Sequence, residues 1–333
     1  MQNSLLTIAQ AVSFIEAGSI MLIAGSPRAL TALPRGRWIG GSTPYFMTAQ
    51  GGLRDHEHVF CTIIEGAADC RIGAIAPGEL AQLTAGRFDQ GFSYVLVPAF
   101  SEAHQRFAIE APDLPHLYQQ PLVGWVTGVD LAEIGKVAPV AVNGMTGEVH
   151  DNAVLVMHAA LADGLFAEAD IINLFHQGTG DDISFPQSGF TAESCTVNGV
   201  ERNFAQYLRE IHADPSLPLV SNYAGAMINV SFQEAQAETV TFYAPVMAGL
   251  VYRLAAPVGD YPAAYGMYCA QQESGAGLSF NCILNYLYAS LEGKTTGGFI
   301  GPVTFGEIAY ILLNQTLVRL DVRSHASLVP QAA

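Results

Sequence analysis

Charge is scarce in this chain: only 13% of its 333 residues are Asp, Glu, Lys or Arg, and the basic ones number 14. Set against 30 acidic side chains, they leave a formal net charge of −16. Such a charge repels phosphate backbones and anionic lipid headgroups, which argues against nucleic-acid or membrane-surface binding. Cysteine is sparse and odd in number: Cys61, Cys70, Cys195, Cys269 and Cys282 are widely spaced, with no CxxC among them. A paired zinc pattern is excluded, and reduced, buried thiols of a cytoplasmic protein are expected. GxSxG, HExxH, Walker and GxGxxG motifs are absent, as is any repeat of about 20 to 50 residues.

The hydrophobic share is large instead, at 50%, with a mean hydropathy of +0.28. Two stretches lack charge for nearly the length of a membrane span, 215–233 and 274–291. The first contains prolines, asparagines and a glycine and the second contains Asn281 and Asn285, so neither reads as a bilayer helix. Residues 1–18 have no Lys or Arg ahead of their apolar stretch, and Gln10, Ser13 and Glu16 interrupt it, so no secretion signal is expected.

Local signals place the first elements. Ile8, Val12 and Ile15 stand at helical spacing within 7–17, Gly18 follows them, and 19–24 reads as a buried strand. Ser26 and Pro27 start a short helix over 26–33, followed by a strand at 37–40 and the turn Gly40-Gly41-Ser42-Thr43. Strands are expected at 59–64, 94–99, 137–142, 149–158 and 169–176, with helices at 101–109 and 203–211 and a tight turn at Asn198-Gly199. Further on, 226–232, 239–243 and 249–254 read as strands. Phe280, Ile283, Leu284, Leu287 and Leu291 form one stripe that predicts a helix over 280–291, with Asn281, Asn285 and Tyr288 on another face. Residues 298–300, 305–313 and 316–320 close the chain as antiparallel strands. The expected class is α+β in two lobes, each a mostly antiparallel or mixed sheet packed with helices. A single core stops growing at roughly 250 to 300 residues, so the lobes are placed at 1–190 and 191–333. No linker marks the boundary near Thr191.

Several polar groupings have both a chemical and a plain reading. His56 and His58 share one side of a strand and, with Asp55 or Glu57, could begin a metal site, but no third imidazole stands nearby; a solvated loop is the plainer account. His176, Asp181 and Asp182 border a glycine-containing turn that is either a site or only a turn. Cys282 is the best placed thiol for nucleophilic catalysis, but it needs a histidine that the local sequence lacks. Glu307, inside an apolar strand, either faces water or is held by buried donors. Asn314, Gln315 and Thr316 suit recognition of a small polar ligand, or tie down a strand crossing. Gly124, Gly128, Gly297 and Gly298 either admit backbone to a ligand or supply turns.

Taken together, Ser279-Phe280-Asn281-Cys282, Gly298-Phe299, Phe305-Gly306-Glu307-Ile308 and Asn314-Gln315-Thr316 resemble the C-terminal signature of the FIST sensory-domain family. Gly40-Gly41-Ser42-Thr43 is similar to that family's G-C-S-T turn, with Gly41 in place of the cysteine. Pro121-Leu122-Val123-Gly124, Val197-Asn198-Gly199 and 204–208 add weaker likeness. The resemblance implies an intracellular, bacterial or archaeal small-molecule sensor, its ligand an amino acid or similar metabolite, that signals through a separate output protein. The pocket it implies is lined by Gly41, Ser42, Thr43, Cys282, Phe299, Glu307, Asn314 and Gln315, with no resident metal or cofactor expected. The alternatives are a haem-based nitric oxide sensor, a hydrolase using Cys282 or Glu307, and a purely structural scaffold. For haem, the axial ligand would be one of His56, His58, His104, His116, His150, His158, His176, His212 or His325.

Overall fold

Helix starts follow the capping residues. In the computed structural model, which describes residues 1–223, 225–271 and 277–324, Thr7 and Gln10 form a reciprocal capping box ahead of the helix Ile8–Glu16, whose Ala11 and Ile15 are buried. Ser26 caps Pro27–Thr31, Ser101 caps Glu102–Glu110 and Asn203 caps Phe204–Glu210. Each cap accepts a backbone N–H three residues on, satisfying a donor the helix itself cannot.

The class is α+β, as expected: mixed and antiparallel sheets packed with helices, none closed into a barrel among the described residues. One sheet runs, edge to edge, Gln2–Leu6, Val59–Ile63, Met21–Gly25, Trp38–Ser42, Ala141–Asn143 and Glu148–His150. A second runs Leu165–Ile172, Leu317–Ser324, Leu278–Cys282, Gly301–Thr304, Tyr45–Thr48 and Gly51–Arg54. The first four strands of each follow the same scheme of two antiparallel pairings and then one parallel pairing. In both sheets the parallel pair is joined through a short helix, Pro27–Thr31 in the first and Ile283–Tyr288 in the second.

The sheets also join segments far apart in sequence. Tyr45–Thr48 pairs with Gly301–Thr304, Glu307–Ala309 with Leu122–Thr127, and Leu165–Ile172 with Leu317–Ser324. One apolar core accordingly unites Leu22, Phe46, Leu96 and Trp125 with Phe280, Leu313 and Val318. Residue 190 lies inside the strand Gly189–Ala192, and strands from either side of it share three of the sheets.

Three local expectations are corrected. Residues 280–291 are not one helix: Leu278–Cys282 is a strand and only Ile283–Tyr288 is helical. All five residues of that strand are buried, so both its faces meet protein, the alternation that marks a half-buried strand is lost, and the apolar stripe mimics helical spacing. The expected strand 149–158 breaks into Glu148–His150 and Val154–Leu161. The helix Tyr261–Gln271 has no sequence counterpart above; its apolar residues lie all round the axis, which blurs the periodic signal.

Candidate functional site

The carboxyl-end residues come together in a closed polar network. Glu307 begins the strand Glu307–Ala309 and is fully buried. It accepts from Thr304 Oγ1 at 2.9 Å, Thr316 Oγ1 at 2.8 Å and the Thr316 N–H at 3.3 Å. Burial pushes its carboxyl up to about 8, in spite of these donors and the adjacent Cys282. Cys282 itself is lifted well above the ordinary thiol value, first by burial and then by Glu307. Among the described residues the thiol meets a carboxyl and not a histidine, which disfavours the thiolate a nucleophile needs.

Around this pair, Tyr265 donates to Asn281 Oδ1 and Tyr261 to Asn285 Oδ1, both at 2.7 Å. Asn285 Nδ2 donates to Asn281 Oδ1 at 3.1 Å and to the Thr316 carbonyl at 3.0 Å. Ser231 Oγ donates to Asn314 Oδ1 and to Gln315 Oε1, while Gln315 Nε2 reaches the Ser216 carbonyl at 3.1 Å. Gln315 holds this place with a left-handed backbone, φ 52°. Phe299 packs in the same apolar cluster as Cys282. Of the two readings open for Glu307, water-facing or held by buried donors, the structure shows the second.

Gly41, Ser42 and Thr43 lie at the crossing from Trp38–Ser42 to Tyr45–Thr48. Ser42 Oγ donates to the Gly128 carbonyl and accepts from the Val140 N–H, each at 2.8 Å. Thr43 Oγ1 donates to the Val303 carbonyl at 2.7 Å. These hydroxyls fasten one sheet to the next. At Gly128 a Cβ would lie 2.2 Å from the Phe305 ring, so this glycine admits a protein side chain. None of the eight expected pocket residues lines the clefts described below.

The open cleft lies just beyond Thr43. It has a volume of about 590 Å³, and its walls include Ser26, Pro27, Arg28, Pro44, His56, Glu57, Asp130, Glu133 and Val137. Its organiser is Asp130, whose side chain is only 7% exposed. The carboxylate accepts from the Ala132 N–H at 3.0 Å, Tyr45 at 3.3 Å and Arg54 Nη1 at 3.3 Å, and it pairs with His56 Nε2 at 3.0 Å. Tyr45 and Arg54 are register partners on adjacent strands, so both side chains reach one acceptor. Burial acts to raise the Asp130 carboxyl, but the Ala132 N–H, His56 and Arg54 outweigh it and hold the group below the usual carboxylate value. Burial, with Asp130 adding to it, raises the Tyr45 phenol. Ser26 Oγ donates to the His56 carbonyl, not to its imidazole, so no serine–histidine relay forms.

His58, His104 and His158 lie apart from the cleft. His58 pairs with Asp55 at 2.8 Å, so the two imidazoles of this segment serve different carboxylates. Among the described residues no group of three or more His, Cys, Asp or Glu side chains is placed to hold a metal ion. Burial lowers His104 and His158 to about 4, the first against Phe190 and the second bonded to Ser93. His325 lies outside the described residues. Asp181 is taken up by Asn198 and Tyr207 and Asp182 by Arg253, ties that brace the loop beside His176.

The family model that spans the cleft and the buried network covers residues 6–323. The chain belongs to DUF6976, a family of unknown function. No curated protein matches the sequence. Among the described residues no helix of this DUF6976 member is long and apolar enough to cross a membrane. Sequence reasoning missed Asp130 as the centre of the cleft, because its partners Arg54 and His56 lie more than seventy residues away in the chain.

Proposed function

We propose that the protein binds a small zwitterionic metabolite, an amino acid or close analogue, in the cleft beside Asp130. The observation that carries this is the carboxylate-held His56 on the wall of a cavity of about 590 Å³, within the roughly 300 to 1,000 Å³ typical of ligand sites. Both signs of charge line it, with Arg28 opposite in charge to Glu57 and Glu133. A ligand carboxylate is matched by Arg28, with His56 beside it as a hydrogen-bonding group, and an ammonium by the two glutamates. The likeness to the FIST sensory family supports a sensory use of such binding, with the signal passed to a separate protein.

A thermal-shift screen of the amino acids tests this. Stabilisation follows RT ln(1 + [L]/Kd), about 2.7 kcal/mol at a hundredfold excess over Kd. An amino acid that raises the melting temperature of the wild type but not of His56→Ala or Glu133→Ala is the expected result. A flat screen, or shifts that survive both substitutions, sinks the reading.

A further inference from the structure

A second cleft, of about 400 Å³, lies against the buried polar network. Its walls are apolar and aromatic: Leu208, Pro215, Phe232, Tyr243 and Tyr288 are among them. Leu208 and Phe232 are buried, while Tyr243 is 38% exposed and presents part of its ring to the opening. The lining also includes Arg209, from the last turn of the helix Phe204–Glu210, and His212 beyond it. Arg209 is exposed and donates from Nη1 to the Gln236 carbonyl at 3.2 Å. The carboxylate in the lining is Glu234, which accepts from Gln236.

The floor is not passive. The carbonyl of Ser216, a lining residue, accepts from Gln315 Nε2, and Gln315 Nε2 also lies 3.5 Å from the Tyr261 hydroxyl that is bonded to Asn285. Tyr288 packs edge-on against Tyr261 at 6.2 Å. The cleft is therefore backed directly by the network that holds Glu307, Cys282 and Gln315.

From this geometry we infer that the cleft is a binding site for a small ring-bearing carboxylic acid, its ring against Phe232, Tyr243 and Tyr288 and its carboxylate on Arg209 and His212. Aromatic faces favour a planar ring over a flexible chain. A guanidinium with free N–H groups favours a carboxylate, by paired charge-assisted bonds. This site is separate from the one beside Asp130 and does not depend on it.

Titration calorimetry with phenylacetate, phenylacetamide and phenethylamine tests the inference. Phenylacetate is expected to bind, the amide and the amine at least tenfold more weakly. Arg209→Gln, at an exposed position, should weaken phenylacetate by roughly tenfold or more. Tyr243→Ala should weaken all ring ligands, and His56→Ala should leave phenylacetate unchanged. The inference is overturned if phenylacetate fails to bind, if the three ligands bind alike, if Arg209→Gln and Tyr243→Ala have no effect, or if His56→Ala abolishes binding.

Discussion

The indole of Trp125 occupies the space that a side chain on residue 41 would need: a Cβ built on Gly41 would lie 2.5 Å from Trp125 Cη2 and 2.9 Å from Leu96 Cδ2. The ring cannot readily withdraw, because its Nε1 donates to the buried Tyr94 hydroxyl at 2.6 Å. A side chain at position 41 therefore meets a fixed obstacle. Gly41→Ala should destabilise by about 1 to 3 kcal/mol, the range for overpacking a close-packed core. Combined with Trp125→Phe, which removes the clashing ring edge, it should cost clearly less than the sum of the two single changes in urea melts. Strict additivity would show that the indole is not the obstacle.

Glu307 makes stability depend on pH in an unusual direction. Its ordinary value is 4.5, and burial lifts it to about 8 in the folded chain. Between those values the folded protein keeps a proton that the unfolded chain has released, so folding weakens as pH rises. The contribution is complete below 4.5 and lost as pH climbs through about 8. The shift corresponds to roughly 4 to 5 kcal/mol across that window. Glu307→Gln, which removes the titrating carboxyl and keeps one uncharged acceptor oxygen, enough for Thr304 or Thr316 but not both, should flatten the dependence in urea melts over a pH series. An unchanged slope in the variant would falsify the assignment.

Asp130 acts in the opposite sense. Its carboxyl is held below the usual value, so its contribution is present above the ordinary carboxylate range and fades as pH falls through it. Asp130→Asn leaves an acceptor for Tyr45 and Ala132 but can turn an N–H₂ toward Arg54 and His56. A loss of about 1 to 2 kcal/mol is expected at neutral pH, with the gap to wild type narrowing below about pH 4. Amino-acid binding should fall as well, since His56 loses the group that orients it. Retention of both stability and binding would remove Asp130 from the centre of the cleft.

All five cysteines are buried and free. Burial raises each thiol, Cys61 to about 12 and Cys195 and Cys269 to about 11. A thiol reagent at neutral pH should therefore label the native protein only as fast as it opens, and all five sites should react at once in denaturant. Rapid labelling of Cys282 in the native state would restore a nucleophilic role for it.

What was legible in the sequence was local. Ser26 with Pro27 marks a helix start because a cap and its helix are neighbours in the chain, and the helices expected from 7, 101 and 203 do begin after those residues, which the structure shows to be caps. The polar run Asn314-Gln315-Thr316 and the isolated Glu307 stand out against apolar surroundings, and the fold does bring them together. Their sealing was not legible, since the donors from Ser231, Tyr261 and Tyr265 arrive from other elements. The strand Leu278–Cys282 was misread because burial on both faces erases alternation. The Asp130 cleft depends on strand pairing that sets Tyr45 against Arg54, a tertiary fact with no periodic trace.

The way the sheets are interwoven has a consequence for synthesis. The hairpin at 45–54 has its outer partner at Gly301–Thr304, and Leu165–Ile172 pairs with Leu317–Ser324. On a ribosome adding roughly 5 to 20 residues per second, these early strands wait with bare edges until the segment 301–324 has emerged. Bare edges of this kind are templates for pairing with other chains, so a chain that stops before residue 301 leaves both early edges without their partners.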